Sequence, residues 1–143
     1  MSSAMWREFV KPYFQERIAY TAQFTDAVYL HHSCGSIFDI IPDLAEIGVG
    51  ILNPIQPVAH MAPERLKAAY GGRIVFHGGL DTQVVLPSND PQVIDTAVGR
   101  LLDAMAPQTS GGYIFAAAHN LQADVAPLAV VRMYQTALRH QLA

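Results

Sequence analysis

Short apolar runs alternate with helical patterns along almost the whole chain, and this order allows few architectures. Four of the runs are rich in β-branched and aromatic residues, which predicts strands. The predicted strands span 27–32, 49–53, 73–79 and 112–120. Because these strands are apolar on both faces, they need helices on both sides, so the pattern predicts an α/β fold with a parallel sheet. A further helix, predicted over residues 3 to about 22 with a kink at Pro12, precedes the first strand.

Each predicted strand is followed by a helix whose ends carry recognisable signals. An apolar stripe at helical spacing over residues 37–47 ends at Gly48, a residue suited to a helix C-terminus. Proline, which is favoured in the first turn, opens the next three helices at Pro63, Pro91 and Pro127. Four strand–helix units behind one helix predict half of a (β/α)8 barrel, of the TIM type, or a small open sheet. We expect a single domain over residues 1–143.

The composition excludes several classes of function. The chain has 143 residues, 51% of them hydrophobic, which is enough apolar material for one core. Its formal net charge is −3 and its nine Lys and Arg are scattered, so we expect no nucleic-acid partner. No apolar run reaches the roughly 18 residues that cross a membrane, and the first residues lack the apolar core of a signal peptide, so we expect a cytoplasmic protein. A single cysteine excludes an intramolecular disulfide and leaves its thiol free for chemistry or for a metal.

Polar side chains gather where the predicted strands end. In parallel α/β folds the carboxyl edge of the sheet carries the chemistry, so these residues are candidates for one site. The four groups, in strand order, are His32 with Cys34, Asn53 with Gln56, His77 with Asp81, and His119 with Asn120.

The spacing of His32 and Cys34 suits a shared metal. Side chains two positions apart on a strand point the same way, so an imidazole and a thiolate can hold one ion. The pair alone is a weak signal, because a core cysteine beside a hydrogen-bonded histidine has the same pattern. If His119 joins them, the three ligands leave one tetrahedral position open, which is typical of catalytic zinc. We expect His31 to face the opposite side of the sheet and to pack beneath a helix.

The segment HGGLDTQ, which follows the third strand, contains further candidates. The adjacent glycines Gly78 and Gly79 permit positive φ and let backbone N–H groups approach an anion or a carboxylate. Asp81 either acts as an acid, a base or an orienting group, or it only caps a turn. Asn53 and Gln56, in NPIQP, either offer amide hydrogen bonds to a substrate or satisfy the backbone of a rigid turn. The sequence leaves both pairs of interpretations open.

Five segments of the chain occur in an order that is known from one superfamily. They are MWREFVKPYF (5–14), HSCGS (32–36), IPDLAEIGVGILNPIQP (41–57), FHGGLDTQ (76–83) and GGYIFAAAHNLQADVAP (111–127). Together they resemble the uroporphyrinogen decarboxylase superfamily over nearly the whole chain. That superfamily has a (β/α)8 barrel and includes cofactor-free porphyrinogen decarboxylases and zinc-dependent methyltransferases that act on corrinoid proteins and thiols. The resemblance implies that this chain corresponds to the C-terminal half, roughly the fifth to eighth strands.

The motifs are similar to two branches of that superfamily. The HxCG motif at 32–35 resembles the methyltransferases, whose zinc is held by a histidine and a cysteine in this pattern and by a second cysteine late in the chain. His119 takes the place of that second cysteine, so the resemblance implies Zn2+ held by His32, Cys34 and His119. The decarboxylases lack the HxC pair. They carry a histidine beside the substrate pocket at the position of His119, and GGLD is similar to their GNLD.

The resemblance therefore implies zinc-dependent methyl transfer to or from a thiol or a corrinoid protein, with His119 and Asp81 as catalytic residues. The expected substrate-binding residues are Asn53, Gln56, His77, Gly78, Gly79 and Asn120. One alternative is a uroporphyrinogen decarboxylase of tetrapyrrole biosynthesis, which removes carbon dioxide from acetate side chains of a porphyrinogen and needs no metal. Its catalytic aspartate and carboxylate-binding arginines lie in the N-terminal half, which this sequence does not contain. The other alternative is a catalytically silent fragment or binding module.

Half a barrel also implies a partner. Four strands taken from a closed barrel expose two sheet edges and an apolar inner face, which favours association or aggregation. We expect either a homo-oligomer or pairing with a separate N-terminal barrel half. Either kind of association would cover the sheet edges and the inner face.

Overall fold

The computed structural model describes residues 1–105 and 111–141. The helices and strands within these ranges follow the predicted order. They are α1 (Ser3–Phe9), α2 (Lys11–Thr21), β1 (Tyr29–His32), α3 (Ile41–Glu46), β2 (Val49–Asn53), α4 (Pro63–Tyr70), β3 (Val75–His77), α5 (Pro91–Met105), β4 (Tyr113–Ile114) and α6 (Pro127–Gln141). Short 3-10 helices at Phe38–Ile40 and Leu86–Ser88 precede α3 and α5. In the described part of the chain, no helix has the length and apolar character needed to cross a membrane.

The four strands form one parallel sheet in the order β1-β2-β3-β4. Parallel neighbours need a crossover connection, and α3, α4 and α5 supply one between each successive pair. This arrangement matches half of a TIM barrel, so the predicted fold class is confirmed. The third and fourth strands are shorter than predicted because Gly78 and Gly79, with φ of 91° and 112°, turn the chain after β3. Pairing resumes only at the isolated parallel bridge between Leu80 and Ala117.

The two faces of the sheet have different surroundings. The face under the helices is fully buried at Leu52 and Phe76, and it packs on apolar side chains from α3 to α6. His31 lies on this side, half-buried, with its ring 4.8 Å from that of Phe14 between centroids. The predicted orientation of His31 beneath a helix is therefore confirmed. Burial is the main cause that lowers the pKa of His31, with a smaller contribution from the nearby Arg17.

The opposite face of the sheet, here called the inner face, is open to solvent in part. Its apolar members are Leu30, Ile51, Val75 and Ile114, one from each strand. Leu30 on β1 is 46% exposed and Ile114 on β4 is 42% exposed. In a closed barrel these positions face the interior.

The first helix departs from the prediction. A single kinked helix was expected, but α1 ends at Phe9 and α2 begins at Lys11. Pro12 lies in the first turn of α2, where its missing N–H leaves no bond unmade, and its ring would clash with a carbonyl four residues earlier in a continuous helix. The predicted stripe over 37–47 is likewise divided, because Pro42 opens α3 after the 3-10 helix.

Candidate metal centre

The three predicted metal ligands lie together at the carboxyl edge of the sheet. His32 ends β1, Cys34 follows two residues later, and His119 lies beyond β4. Their ligand atoms all lie within 4.8 Å of one another. Cys34 Sγ is 3.3 Å from His32 Nε2, and the rings of His32 and His119 meet edge to face with centroids 5.5 Å apart. All three side chains are exposed, so a substrate can reach them.

His119 reaches the first strand although it follows the last one. β1 and β4 are separated by two strands, which is about 14 Å at the usual strand spacing. After β4 the chain stays beside the segment that follows β3, where Leu80 forms a bridge with Ala117 and the Ala118 N–H donates to the Leu80 carbonyl at 2.7 Å. This bond anchors the segment that carries His119.

Two residues behind His32 are hydrogen-bonded in series. His32 Nδ1 lies 2.6 Å from Asn53 Oδ1, and Asn53 Nδ2 lies 2.5 Å from His77 Nδ1. Burial lowers the pKa of His77 below its usual value, so its ring is neutral at pH 7. Asn53 and His77 were predicted to bind substrate, but these polar atoms form hydrogen bonds within the protein.

The loop that carries Cys34 is anchored by a hydrogen bond to Gln56, which follows β2. The Gly35 N–H donates to Gln56 Oε1 at 2.6 Å, and Gly35 has a φ of 85°, a conformation that favours glycine. Neither of the two interpretations left open for Gln56 describes this bond, because the backbone that Gln56 satisfies belongs to the Cys34 loop and not to its own turn. Its side chain also borders the cleft described below.

Asp81 and the two glycines also have structural roles. Asp81 Oδ1 accepts hydrogen bonds from the Gln83 and Val84 N–H groups at 2.6 and 2.8 Å, which is the turn cap that the sequence left open. The positive φ expected for both glycines is confirmed. The Gly78 N–H, however, donates to the Ile114 carbonyl at 3.0 Å and is therefore committed to the sheet. A Cβ on Gly78 would lie 3.1 Å from the Ala117 carbonyl oxygen, so glycine permits close packing of two chain segments here.

A cleft of about 340 Å3 opens beside the candidate ligands. It is lined by Cys34, Gln56, Pro57, Val58, Asp81, Thr82, Gln83, Ala118, His119, Asn120 and Gln122. Of the predicted substrate-binding residues, Gln56 and Asn120 belong to this lining, whereas Asn53, His77 and the two glycines do not. Sequence reasoning missed Thr82, Gln83 and Gln122, although each follows a strand end within a few residues, which is the signal that selected the others.

Comparisons with known proteins agree with this architecture. A family model described as "Uroporphyrinogen decarboxylase (URO-D)" matches residues 1–140. None of the curated proteins matches the sequence. Among solved structures, a methyltransferase from Methanosarcina mazei aligns with a TM-score of 0.70 and 21% sequence identity, covering 99% of this chain and 37% of that chain.

The two positive comparisons support different statements. The structural likeness, at 21% identity, shows the shared fold, and the chain spans 37% of that methyltransferase's length. The family model covers nearly the whole sequence, in agreement with the motifs at the strand ends. The chain therefore belongs to the uroporphyrinogen decarboxylase family.

Proposed function

We propose that His32, Cys34 and His119 hold Zn2+ and that this centre serves methyl transfer to or from a thiol or a corrinoid partner. The observation that carries the proposal is the convergence of one sulfur and two imidazoles within 4.8 Å beside an open cleft. In a tetrahedral zinc site, ligand atoms lie about 3.3 to 3.8 Å apart. The 3.3 Å between Cys34 Sγ and His32 Nε2 fits this range, and the distances to His119, within 4.8 Å, would shorten around a bound ion. Nitrogen and thiolate ligands also suit zinc among the common divalent metals.

Three protein ligands leave a fourth position for a substrate. Zinc held there would lower the pKa of a substrate thiol, so that a thiolate would be available near neutral pH. In the reaction the thiol loses its proton, its sulfur forms a bond to the methyl carbon, and the donor leaves with the electron pair of the broken bond. Asp81, whose carboxylate borders the cleft, orients the acceptor and takes the proton.

Cys34, rather than the charge of the cleft, favours methyl transfer over decarboxylation of a porphyrinogen. The acetate side chains of a porphyrinogen are carboxylates, which a binding site normally pairs with Arg or Lys. The described lining of the cleft contains neither, but the arginines of the decarboxylases are expected in the N-terminal half, so this lining does not separate the two reactions. Methyl transfer to a thiol needs a metal that activates the thiol, and Cys34 supplies a soft ligand for that metal.

The first experiment measures zinc per chain by elemental analysis after expression with added zinc and removal of loosely bound metal. We expect close to one zinc in the wild type and at least tenfold weaker binding in Cys34→Ser and His119→Ala, because each loses a direct ligand. His60→Ala is the matched control, since His60 is an exposed histidine bonded to Arg65 in another loop. Folded wild-type protein without zinc under these conditions would exclude the metal centre.

The reaction itself needs a second measurement. We expect zinc-loaded protein to demethylate methylcobalamin in the presence of a small thiol, followed by the change in corrinoid absorbance. Because the chain spans 37% of the methyltransferase that it resembles, the assay includes the protein at concentrations where it self-associates. Stoichiometric zinc with no methyl transfer at any concentration would leave a metal-binding module on this scaffold.

A further inference from the structure

We propose that Asn53 and His77 are positioning residues that fix the tautomer of His32 and so aim the lone pair of its Nε2 at the metal site. The inference rests on the proposed zinc centre and extends it to two residues that do not touch the metal. It also gives a role to two side chains that were expected to bind substrate and that lie outside the lining of the cleft.

The hydrogen-bond partners determine where the His32 proton sits. Asn53 Oδ1 can only accept a hydrogen bond, and it lies 2.6 Å from His32 Nδ1, so that nitrogen must carry the hydrogen. A neutral imidazole carries one N–H, which leaves the lone pair on Nε2. Nε2 is the atom that lies 3.3 Å from Cys34 Sγ, on the side of the metal site.

The hydrogen bond to His77 favours one orientation of the Asn53 amide. If the amide were reversed, its NH2 group would face His32 Nδ1, and His32 would then carry its hydrogen on Nε2, where it blocks metal binding. In the observed orientation Asn53 Nδ2 donates to His77 Nδ1 at 2.5 Å. His77 accepts this bond as the tautomer with its hydrogen on Nε2, and burial, which lowers its pKa, disfavours the doubly protonated ring that could not accept it. In this tautomer His77 stabilises the orientation of the Asn53 amide that keeps His32 Nε2 free.

The sheet places the three residues in line. His32, Asn53 and His77 end three neighbouring strands on the inner face, and His32 is the register partner of Asn53. Gly78 lies beside the amide, and a Cβ built there would be 3.5 Å from Asn53 Nδ2, an ordinary contact distance. The series of hydrogen bonds from His77 through Asn53 to His32 is thus built into the strands rather than into a loop.

The direct test reads the tautomer in metal-free protein. Long-range 15N–1H correlation spectra of the imidazole nitrogens distinguish Nδ1–H from Nε2–H. We expect wild-type His32 to be Nδ1–H, and Asn53→Leu to shift it toward Nε2–H. Asn53→Asp, whose carboxylate still accepts from Nδ1, should retain the wild-type tautomer. A wild-type His32 that carries its hydrogen on Nε2, or an Asn53→Leu variant with an unchanged tautomer, would overturn the proposal.

Zinc affinity supplies a second test, through a double-mutant cycle. Outer residues that orient a ligand typically contribute about 10- to 100-fold to metal affinity, and we expect a loss of this size in Asn53→Leu. His77→Phe should weaken binding less, and it should have no further effect when Asn53 is already Leu, because it acts only through the amide. Equal effects of His77→Phe in both backgrounds would show that His77 acts independently and would overturn its role.

Two controls separate this proposal from the proposed function. His140→Phe removes a histidine that contacts Asp103 away from the centre, so zinc affinity should be unchanged. Thermal unfolding of each variant shows that it is folded. If the wild type binds no zinc, the metal centre fails, whereas the tautomer spectra still decide whether Asn53 and His77 orient His32.

Discussion

At the scale of single residues, Asp43 is the buried charged side chain of the described core. It accepts hydrogen bonds from Arg7 Nε at 2.9 Å and Lys11 Nζ at 2.7 Å. Burial alone raises the pKa of Asp43, but the bonds from Lys11 and Arg7 outweigh it and hold the pKa below its usual value. We expect Asp43→Ala to lower the free energy of unfolding by about 2 kcal/mol at pH 7, measured in urea, because it removes two charge-assisted hydrogen bonds and leaves Lys11 bonded to Glu46 and Arg7 to the Asp39 carbonyl.

The same residue gives a pH dependence of defined sign. A pKa that is lower in the folded than in the unfolded protein stabilises the fold above the unfolded value, about 3.9, and this contribution is lost as the pH falls through the folded value. The difference between wild type and Asp43→Ala should therefore shrink below about pH 4. A constant difference down to pH 2 would contradict the pairing. Asp26→Ala, which changes an exposed aspartate before β1, is the control.

Among the residues of the candidate site, those that directly follow a predicted strand could be predicted from the sequence. His32, Cys34 and His119 follow strand ends, and parallel strands bring such ends to one edge. The link from Asn53 to His77 was not predictable, because it depends on the register of two strands and on the orientation of an amide. The turn cap of Asp81 involves only N–H groups two and three residues later, so it was anticipated as one of two interpretations.

At the scale of elements, one polar cluster fastens α5 to α6. Asp95 accepts from Arg132 Nε at 2.8 Å, from Arg132 Nη2 at 2.5 Å and from Thr136 Oγ1 at 2.5 Å. The hydrogen bonds from Arg132 are the largest cause that lowers the pKa of Asp95, to about 2. Because a third of the Asp95 side chain is exposed, solvent screening reduces its contribution to stability to about 1 kcal/mol.

We expect Asp95→Asn to lower the free energy of unfolding by about 1 kcal/mol at pH 7. The folded pKa lies below the unfolded one, so this contribution should be complete above about pH 4 and should vanish toward pH 2. Urea unfolding across this pH range measures it. Asp103→Asn on the same helix is the matched control, since Asp103 is mostly exposed and contacts only His140 among the described residues. Equal effects of the two substitutions would contradict the role of Asp95.

The elements themselves were largely predictable from apolar spacing, glycine and proline. Val49–Asn53 and Pro63–Tyr70 lie where the sequence places them, because their periodicity and end signals agree. The break at Val10 was missed, since apolar spacing continues through it and only the steric demand of Pro12 ends α1. The lengths of the third and fourth strands were overestimated, because apolar composition persists beyond Gly78, where the regular ladder gives way to an isolated bridge between Leu80 and Ala117.

At the scale of the whole molecule, the partly exposed inner face and the two sheet edges favour association with another chain. In the described ranges β1 pairs only with β2 and β4 only with β3, so each outer strand has an edge that can accept another strand. The exposed Leu30 and Ile114 lie on those same two strands. Two copies related by a two-fold axis along the sheet could join β4 of one to β1 of the other and cover both inner faces.

We therefore expect a dimer or a larger oligomer in sedimentation at micromolar concentration. Ile114→Lys should raise the dissociation constant, because it places a charge on the face that association buries. Leu128→Lys is the control, since Leu128 is an equally apolar, 78% exposed residue on α6, on the helical side of the sheet. A monodisperse wild-type monomer would exclude self-association and leave pairing with a separate barrel half.

The alignment of His32, Asn53 and His77 across three strands has a consequence for when the proposed metal centre can form during folding. In the unfolded chain His32 and Cys34 are two ligands close in sequence, but neither a defined tautomer nor a third ligand accompanies them. A shift of β1 by one residue against β2 would turn His32 to the helical side and replace it with His31. In the proposed centre, a metal ion would therefore find all three ligands only after the strands have paired in the native register, so uptake of zinc would follow sheet assembly rather than guide it.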